Sequence, residues 1–381
     1  MKTKNFYGWL AMAVMLVGTG CSTDEVVNDF SPKNAIQFGT YVGRDAESRA
    51  HSINEEKLQK EGFGVFAYYT DEGKFNAATS VANFMYNQKV EYNTSAWEYA
   101  PVKYWPNEAT DYVSFLAYAP HKVAYSTDGI NGGKIQFTVD NDVTKQTDLL
   151  WNDTKQIDVS KQTITDIVNL NFSHALSRIG FTAQAAVDEI DVDKNALAEN
   201  TEIVINKVVL LGDNTPNLDE PAGVFYKSGT LNLNNFRTSA DPVPADWENE
   251  VPSQAFTLTK EDNFVTDFKL TSTNSKNKNP LNNNDSYIMI IPQDLSSTGF
   301  YIYVDYTVTT TDNGNVANTS VVNNKIMSVN PLKINFESGK AYTINLLLGM
   351  TSVKFTATYT DWTKGDYEVD LPINTASQQN P

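Results

Sequence analysis

Apolar residues recur at every second position, not at every third or fourth, along most of this 381-residue chain. Alternating or aromatic- and β-branched-rich runs fall at 63–69 (FGVFAYY), 112–118 (YVSFLAY), 135–139 and 203–211 (IVINKVVLL). Further runs follow at 287–291, 300–310 (FYIYVDYTVTT), 342–348 and 353–359. A period of two lays one face of an extended segment against a core, which predicts strands. Turn signals separate the runs: Asn131-Gly132-Gly133, Asp312-Asn313-Gly314 and the Asn-rich stretch 277–285. Helical spacing is confined to 53–61 and 196–200. Many short strands punctuated by turns predict an all-β protein of antiparallel β-sandwiches, and at this length two in tandem. The break between them is expected within 158–169, giving units at 51–165 and 166–362.

Two one-sided strands lie outside those units. Near the start, Ile36, Phe38, Thr40 and Val42 share one face. Arg44 and Arg49 follow at once, in a polar stretch (GRDAESRAHS) with nothing to bury. The whole chain has only two other arginines, Arg178 and Arg237. Exposed polar connections are where proteases cut. In the tail at 363–381, Tyr367, Val369, Leu371 and Ile373 alternate with Glu368, Asp370, Pro372 and Asn374. Pro372 donates no ladder hydrogen bond, so this strand suits an edge or an inserted position. A detachable strand at one end and a spare strand at the other permit strand exchange between subunits. They equally permit each strand to complete its own sandwich.

The N-terminus changes the picture by fixing a compartment. Lys2 and Lys4 precede a short apolar run from Trp9 to Val17, then Gly18, Thr19, Gly20 and Cys21. This has the form of a secretory signal, and its apolar run is too short to span a bilayer. A cysteine directly after small residues resembles a bacterial lipoprotein signal. That resemblance implies cleavage of residues 1–20 and acylation of Cys21, including a palmitate-type chain. Acidic Asp24 and Glu25 just beyond it resemble the surface-export signal of lipoproteins in gut- and mouth-dwelling Gram-negative anaerobes. Loss of Lys2 and Lys4 would take the formal net charge from −17 to −19.

That charge argues against a nucleic-acid partner, which needs clustered Lys and Arg. One cysteine and three histidines exclude an internal disulfide and a zinc ribbon. Gly62, Gly64 and Ala67 spell G-x-G-x-x-A, but inside a predicted strand, where glycines ease packing and bind no dinucleotide. Asp191, Asp193, Asn195 and Glu202 match calcium-loop positions, yet Ala196 replaces the glycine of the sharp turn, so an acidic solvated loop is expected. His51, His121 and His174 are far apart, and a structural hydrogen bond is expected for His174. No nucleophile elbow, HExxH or P-loop pattern occurs. No catalysis, cofactor or metal is expected. Trp247, in a polar proline-containing loop (DPVPADWENEVP), motivates one rival role: a surface lipoprotein that stacks exposed aromatics on host glycans.

Several segments together resemble the fimbrillin family, the Mfa-like or type V pilin lipoprotein precursors. They are WEYAPVKYWP (97–106), YVSFLAYAPH (112–121), LNFSHALSRIGF (170–181), SYIMIIPQDL (286–295), FESGKAYTINLLL (336–348) and VKFTATYTDW (353–362). The resemblance implies two tandem transthyretin-like β-sandwich domains and a route of assembly. The lipidated precursor reaches the outer-membrane surface. An Arg-specific protease removes residues 21–50 after Arg49, or after Arg44, together with the strand carrying Ile36, Phe38, Thr40 and Val42. A neighbouring subunit then donates the strand carrying Tyr367, Val369, Leu371 and Ile373. The implied partners are other fimbrial subunits, with host protein or glycan as adhesion target.

Overall fold

The fold is described from a computed structural model. The structure describes residues 34–42, 52–122, 131–154, 156–160, 167–185, 197–215, 217–234, 244–312, 319–362, 364–371 and 378–379, the last two by backbone alone. Among them nearly all of the regular secondary structure is strand. The first half carries β1 (Gln37–Val42), helix α1 (Glu55–Glu61), β2 (Phe63–Thr70), β3 (Met85–Tyr92), β4 (Trp97–Glu98), β5 (Tyr112–Ala119), β6 (Lys134–Thr138), β7 (Leu150–Asn152) and β8 (Ile167–His174). Then come β9 (Ser177–Ala185), β10 (Thr201–Leu211), β11 (Ser228–Asn232), β12 (Asp246–Val251), β13 (Phe256–Thr259), β14 (Asn279–Pro280), β15 (Ile288–Ile290) and β16 (Gln293–Asp294). The chain closes with β17 (Tyr301–Thr311), β18 (Thr319–Met327), β19 (Asn335–Phe336), β20 (Lys340–Leu348), β21 (Ser352–Asp361), β22 (Lys364–Leu371) and β23 (Gln378–Gln379).

The sheets are antiparallel except at two ladders. One sheet runs β1-β8-β7-β5-β2-β3-β4, and β1 joins its edge parallel to β8. Another runs β14-β9-β20-β21-β22, with β20 parallel to β9. Smaller sheets run β13-β10-β17-β18 and β12-β11-β6, and β16 pairs β19. The predicted strands appear where the alternation placed them. The expected helix at 53–61 is α1, capped by Asn54, whose side chain accepts from the Lys57 amide. The spacing at 196–200 makes no helix among the described residues, because the chain turns at 199–200 and enters β10.

Strand β2 explains how the first sheet sits. Phe63, Val65 and Ala67 face one core, shared with Phe38 and Phe115, while Phe66 and Tyr68 face another. That second core continues without a break through Ile179, Ile205, Ile302 and Ile344 to Trp362. The sequence predicts two tandem sandwiches, and this continuous core takes residues from both halves of the chain. The expected division at 165–166 is also crossed by pairing. Strand β6 pairs β11, and β8 pairs β1 and β7 before the chain passes through Ala175 and Leu176 into β9. The physical reason is that central strands with two apolar faces need cover on both. Gly64 belongs to this packing: a Cβ there would meet the Tyr118 ring at 2.4 Å. Gly64 and Ala67 of the G-x-G-x-x-A match thus lie in the strand, as expected, whereas Gly62 precedes it as the C-cap of α1 at φ +71°.

Candidate assembly site

Alternation makes β1 a one-sided strand, and its inward residues are buried: Ile36, Phe38 and Val42 are each at most 5% exposed, with Thr40 half-buried. Phe38 meets Phe63 and Phe115 edge-on, with centroids 5.9 and 5.8 Å away, and Tyr99 at 5.5 Å. Fully burying three such side chains contributes about 5–9 kcal/mol before ordering costs. One edge of β1 forms the parallel ladder from Gln37 opposite Ile167 to Val42 opposite Phe172.

The other edge is held by short contacts. The Ile36 amide donates to the Lys103 carbonyl at 2.9 Å, and the Trp105 amide to the Asn34 carbonyl at 3.0 Å. The Tyr99 hydroxyl donates to the Ile36 carbonyl at 2.9 Å, and burial pushes its pKa up to about 12. Glu55, the first residue of α1, closes the far end. Its Oε1 accepts from the Thr40 hydroxyl at 2.8 Å, and its Oε2 from the Val42 amide at 3.2 Å. Trp97 in turn donates its Nε1–H to Thr40 Oγ1 at 3.0 Å. The one polar inward side chain of β1 therefore meets a donor and an acceptor built for it.

A second constellation lies where the chain resumes after the arginine pair. The Ile53 amide donates to Asp148 Oδ2 at 2.8 Å, and His174 Nδ1 lies 2.8 Å from the same oxygen. Both side chains are essentially unexposed. The indole of Trp362 stacks on His174, 4.1 Å between centroids and 5° from coplanar, and donates its Nε1–H to Ser52 Oγ at 3.1 Å. The Arg178 guanidinium lies 5.1 Å from the centre of the Trp362 ring. Ser52 and Trp362 are 310 positions apart, yet they touch. His174 makes the structural hydrogen bond expected of it, and its burial leaves no approach for a substrate.

The remaining expected residues fall as follows. Cys21, Arg44 and Arg49 lie outside the described residues. Tyr367, Val369 and Leu371 fall in β22, which pairs antiparallel with β21 in the register Tyr359 opposite Val369 and Ala357 opposite Leu371. Ile373 lies outside the described residues. Strands β1 and β22 are in different sheets, but the chain leading out of each comes to the Ser52–Trp362 contact. Trp247 is half-buried, with its Nε1–H donated to the Ala175 carbonyl at 3.1 Å and its ring against Phe137, so it is not a free platform. Asp191, Asp193, Asn195 and Ala196 lie outside the described residues, and Glu202 pairs with Lys269 at 3.0 Å. His121 has its pKa lowered by burial and contacts the Asn87 carbonyl at 3.2 Å; His51 lies outside the described residues. Glu55, Tyr99, Asp148, Ser52 and Trp362 were not singled out by sequence reasoning. Only the segment around Trp97 and Tyr99 carried a signal, its aromatic density.

Comparison with known proteins agrees with this architecture. Residues 48–362 match the family model described as fimbrillin-like. Fimbrium subunit Fim1C of Phocaeicola vulgatus is 24% identical over 385 residues, covering 91% of this chain and 93% of that one. A fimbrial protein of Bacteroides vulgatus, known from a crystal structure, superposes with a TM-score of 0.60 at 20% identity. That superposition covers 86% of this chain and all of the other. With the family model spanning most of the sequence, the chain belongs to the fimbrillin-like family.

Proposed function

We propose that this protein is a structural pilin, made as an outer-membrane lipoprotein and assembled by strand exchange. Cys21 is the lipidated residue. Cleavage after Arg49, or after Arg44, removes β1, and the opened groove accepts the C-terminal tail of a neighbouring subunit. The tail stretch marked by Tyr367, Val369, Leu371 and Ile373 is the donor. Residues 51–165 and 166–362 are the units of the mature subunit, and the partners are other fimbrial subunits. A non-catalytic role accords with the family.

The observation that carries this reading is β1 itself. It is an edge strand, covalently joined to the rest only through the stretch containing both candidate arginines, and it completes a core of aromatic side chains. Without it that core opens and β8 becomes an unpaired edge, a costly state that another strand relieves. The chain beyond the cut stays anchored, because Ser52 and Ile53 are fixed to Trp362 and Asp148. The test is the N-terminal residue of protein recovered from the cell surface, together with the double variant Arg44→Ala, Arg49→Ala. Ala50 at the N-terminus of the wild type, and no polymer from the variant, are expected. Normal polymer ladders from the variant would sink the processing step.

A further inference from the structure

The pocket beneath Thr40 selects the register of a replacement strand. We propose that Glu55 and Trp97 admit a side-chain hydroxyl at the third inward position of the incoming strand. The occupant is residues 371–377 of a second copy of this chain, with Thr375 in the place of Thr40. The proposal rests on the strand-exchange reading above and moves the inserted stretch of the tail from 367–373 to 371–377.

Three observations lead to this register. The first is chemical. Both partners of Thr40 reach into the groove: Glu55 Oε1 accepts from its hydroxyl and Trp97 Nε1–H donates to it. An apolar side chain there would leave a carboxylate oxygen and an indole N–H unmatched at a partly buried site, which costs more than the bonds themselves gain. If Tyr367 takes the place of Ile36, the third position is Leu371. If the strand is shifted by four residues, Leu371 and Ile373 take the Ile36 and Phe38 places, and Thr375 meets Glu55 and Trp97. Ser377 then stands at Val42, with an amide able to donate to Glu55 Oε2.

The second concerns proline. The amides of Ile36 and Val42 point away from β8, toward the Lys103 carbonyl and Glu55. Alternation therefore directs those of Gln37, Gly39 and Tyr41 toward β8. For a strand running as β1 does, the unshifted register puts Pro372 at Tyr41, within the ladder. The shifted register puts it at Gln37, the first residue of the strand, where proline is tolerated.

The third is the tail's own anchorage. Strand β22 ends at Leu371. The shifted register takes only Leu371 from it and otherwise draws on the residues after it, so all of the β21–β22 ladder but its last pair, Leu371 opposite Ala357, stays in place. Beyond that pair, only the short pairing of Ser352 and Val353 with Gln379 and Gln378 has to open. The unshifted register would strip Tyr367 to Leu371 from β21.

The experiment follows polymer growth of the full chain after cutting by an Arg-specific protease, on unboiled gels. Thr375→Val should slow growth about five- to tenfold, the worth of one lost hydrogen-bonding group, and Thr375→Ser should grow as the wild type. Trp97→Phe should slow growth to a similar degree and add little to Thr375→Val. Wild-type growth of Thr375→Val, in a chain whose truncation after Trp362 abolishes growth, would overturn the register and leave strand exchange standing. Undiminished growth of the truncated chain would instead remove strand exchange itself.

Discussion

At the scale of single residues, Phe38 is the largest of the three buried side chains that hold β1 beside its ladder to β8. Phe38 touches three aromatic rings and is 5% exposed. Phe38→Ala should destabilise the uncut chain by about 3–5 kcal/mol, read as a lower urea midpoint. The same substitution should leave polymers of the cut chain unaltered, because the residue has departed. Tyr99 makes a second, pH-dependent contribution. Its pKa is pushed up to about 12 in the fold, above the ordinary value near 10 for an exposed phenol. The folded state thus binds the proton more tightly, so the contribution is complete below pH 10 and is lost as pH rises toward 12. Urea midpoints should fall across that interval, and Tyr99→Phe should flatten the part of the fall that the phenol causes.

At the scale of elements, β1 is a non-covalent plug once its connection is cut. Burial worth about 5–9 kcal/mol before ordering costs implies slow escape. A chain cut at Arg49 should therefore keep its leading piece through gel filtration, and release it when a competing tail peptide is added. Loss of the piece without a competitor would contradict this. Elements were also the scale most legible in the sequence. The inward set Ile36, Phe38, Thr40 and Val42 followed from a period of two, and α1 from its spacing. What joins elements was not legible. Glu55, Trp97 and Thr40 meet across 15 and 57 positions, and nothing local in IQFGTYV, INEEKLQKE or WEYAPVKYWP records that they share a hydroxyl. The core that runs across residues 165–166 is not legible for a similar reason: strand alternation says which residues are buried, not against what. Two-faced strands such as FGVFAYY were the available hint, since six of the eight residues of β2 are buried.

At the scale of the whole molecule, charge and cohesion act in opposition. Copies cut after Arg49 carry a formal charge near −17, since residues 21–49 take five acidic and three basic residues from the −19 left after signal removal, and they repel one another at long range. Growth of the cut chain should quicken as salt rises from about 10 to about 150 mM, because screening shortens that repulsion from about 30 to about 8 Å. The strand joint itself, being apolar, should not weaken. Growth that slows with salt would point instead to joints made by charge pairs.

The Ser52–Trp362 contact has a mechanical consequence. In a filament built by strand exchange, tension enters a subunit through the groove against β8 and leaves through the tail, whose ladder on β21 begins two residues after Trp362. His174 ends β8 and lies flat on Trp362, which follows β21, so one stacked pair of rings links the strand that receives the load to the strand that passes it on. Flow over a cell surface would then strain that joint first. Trp362→Ala should yield filaments that rupture at lower force in single-filament pulling, and equal rupture forces would show that the load travels elsewhere.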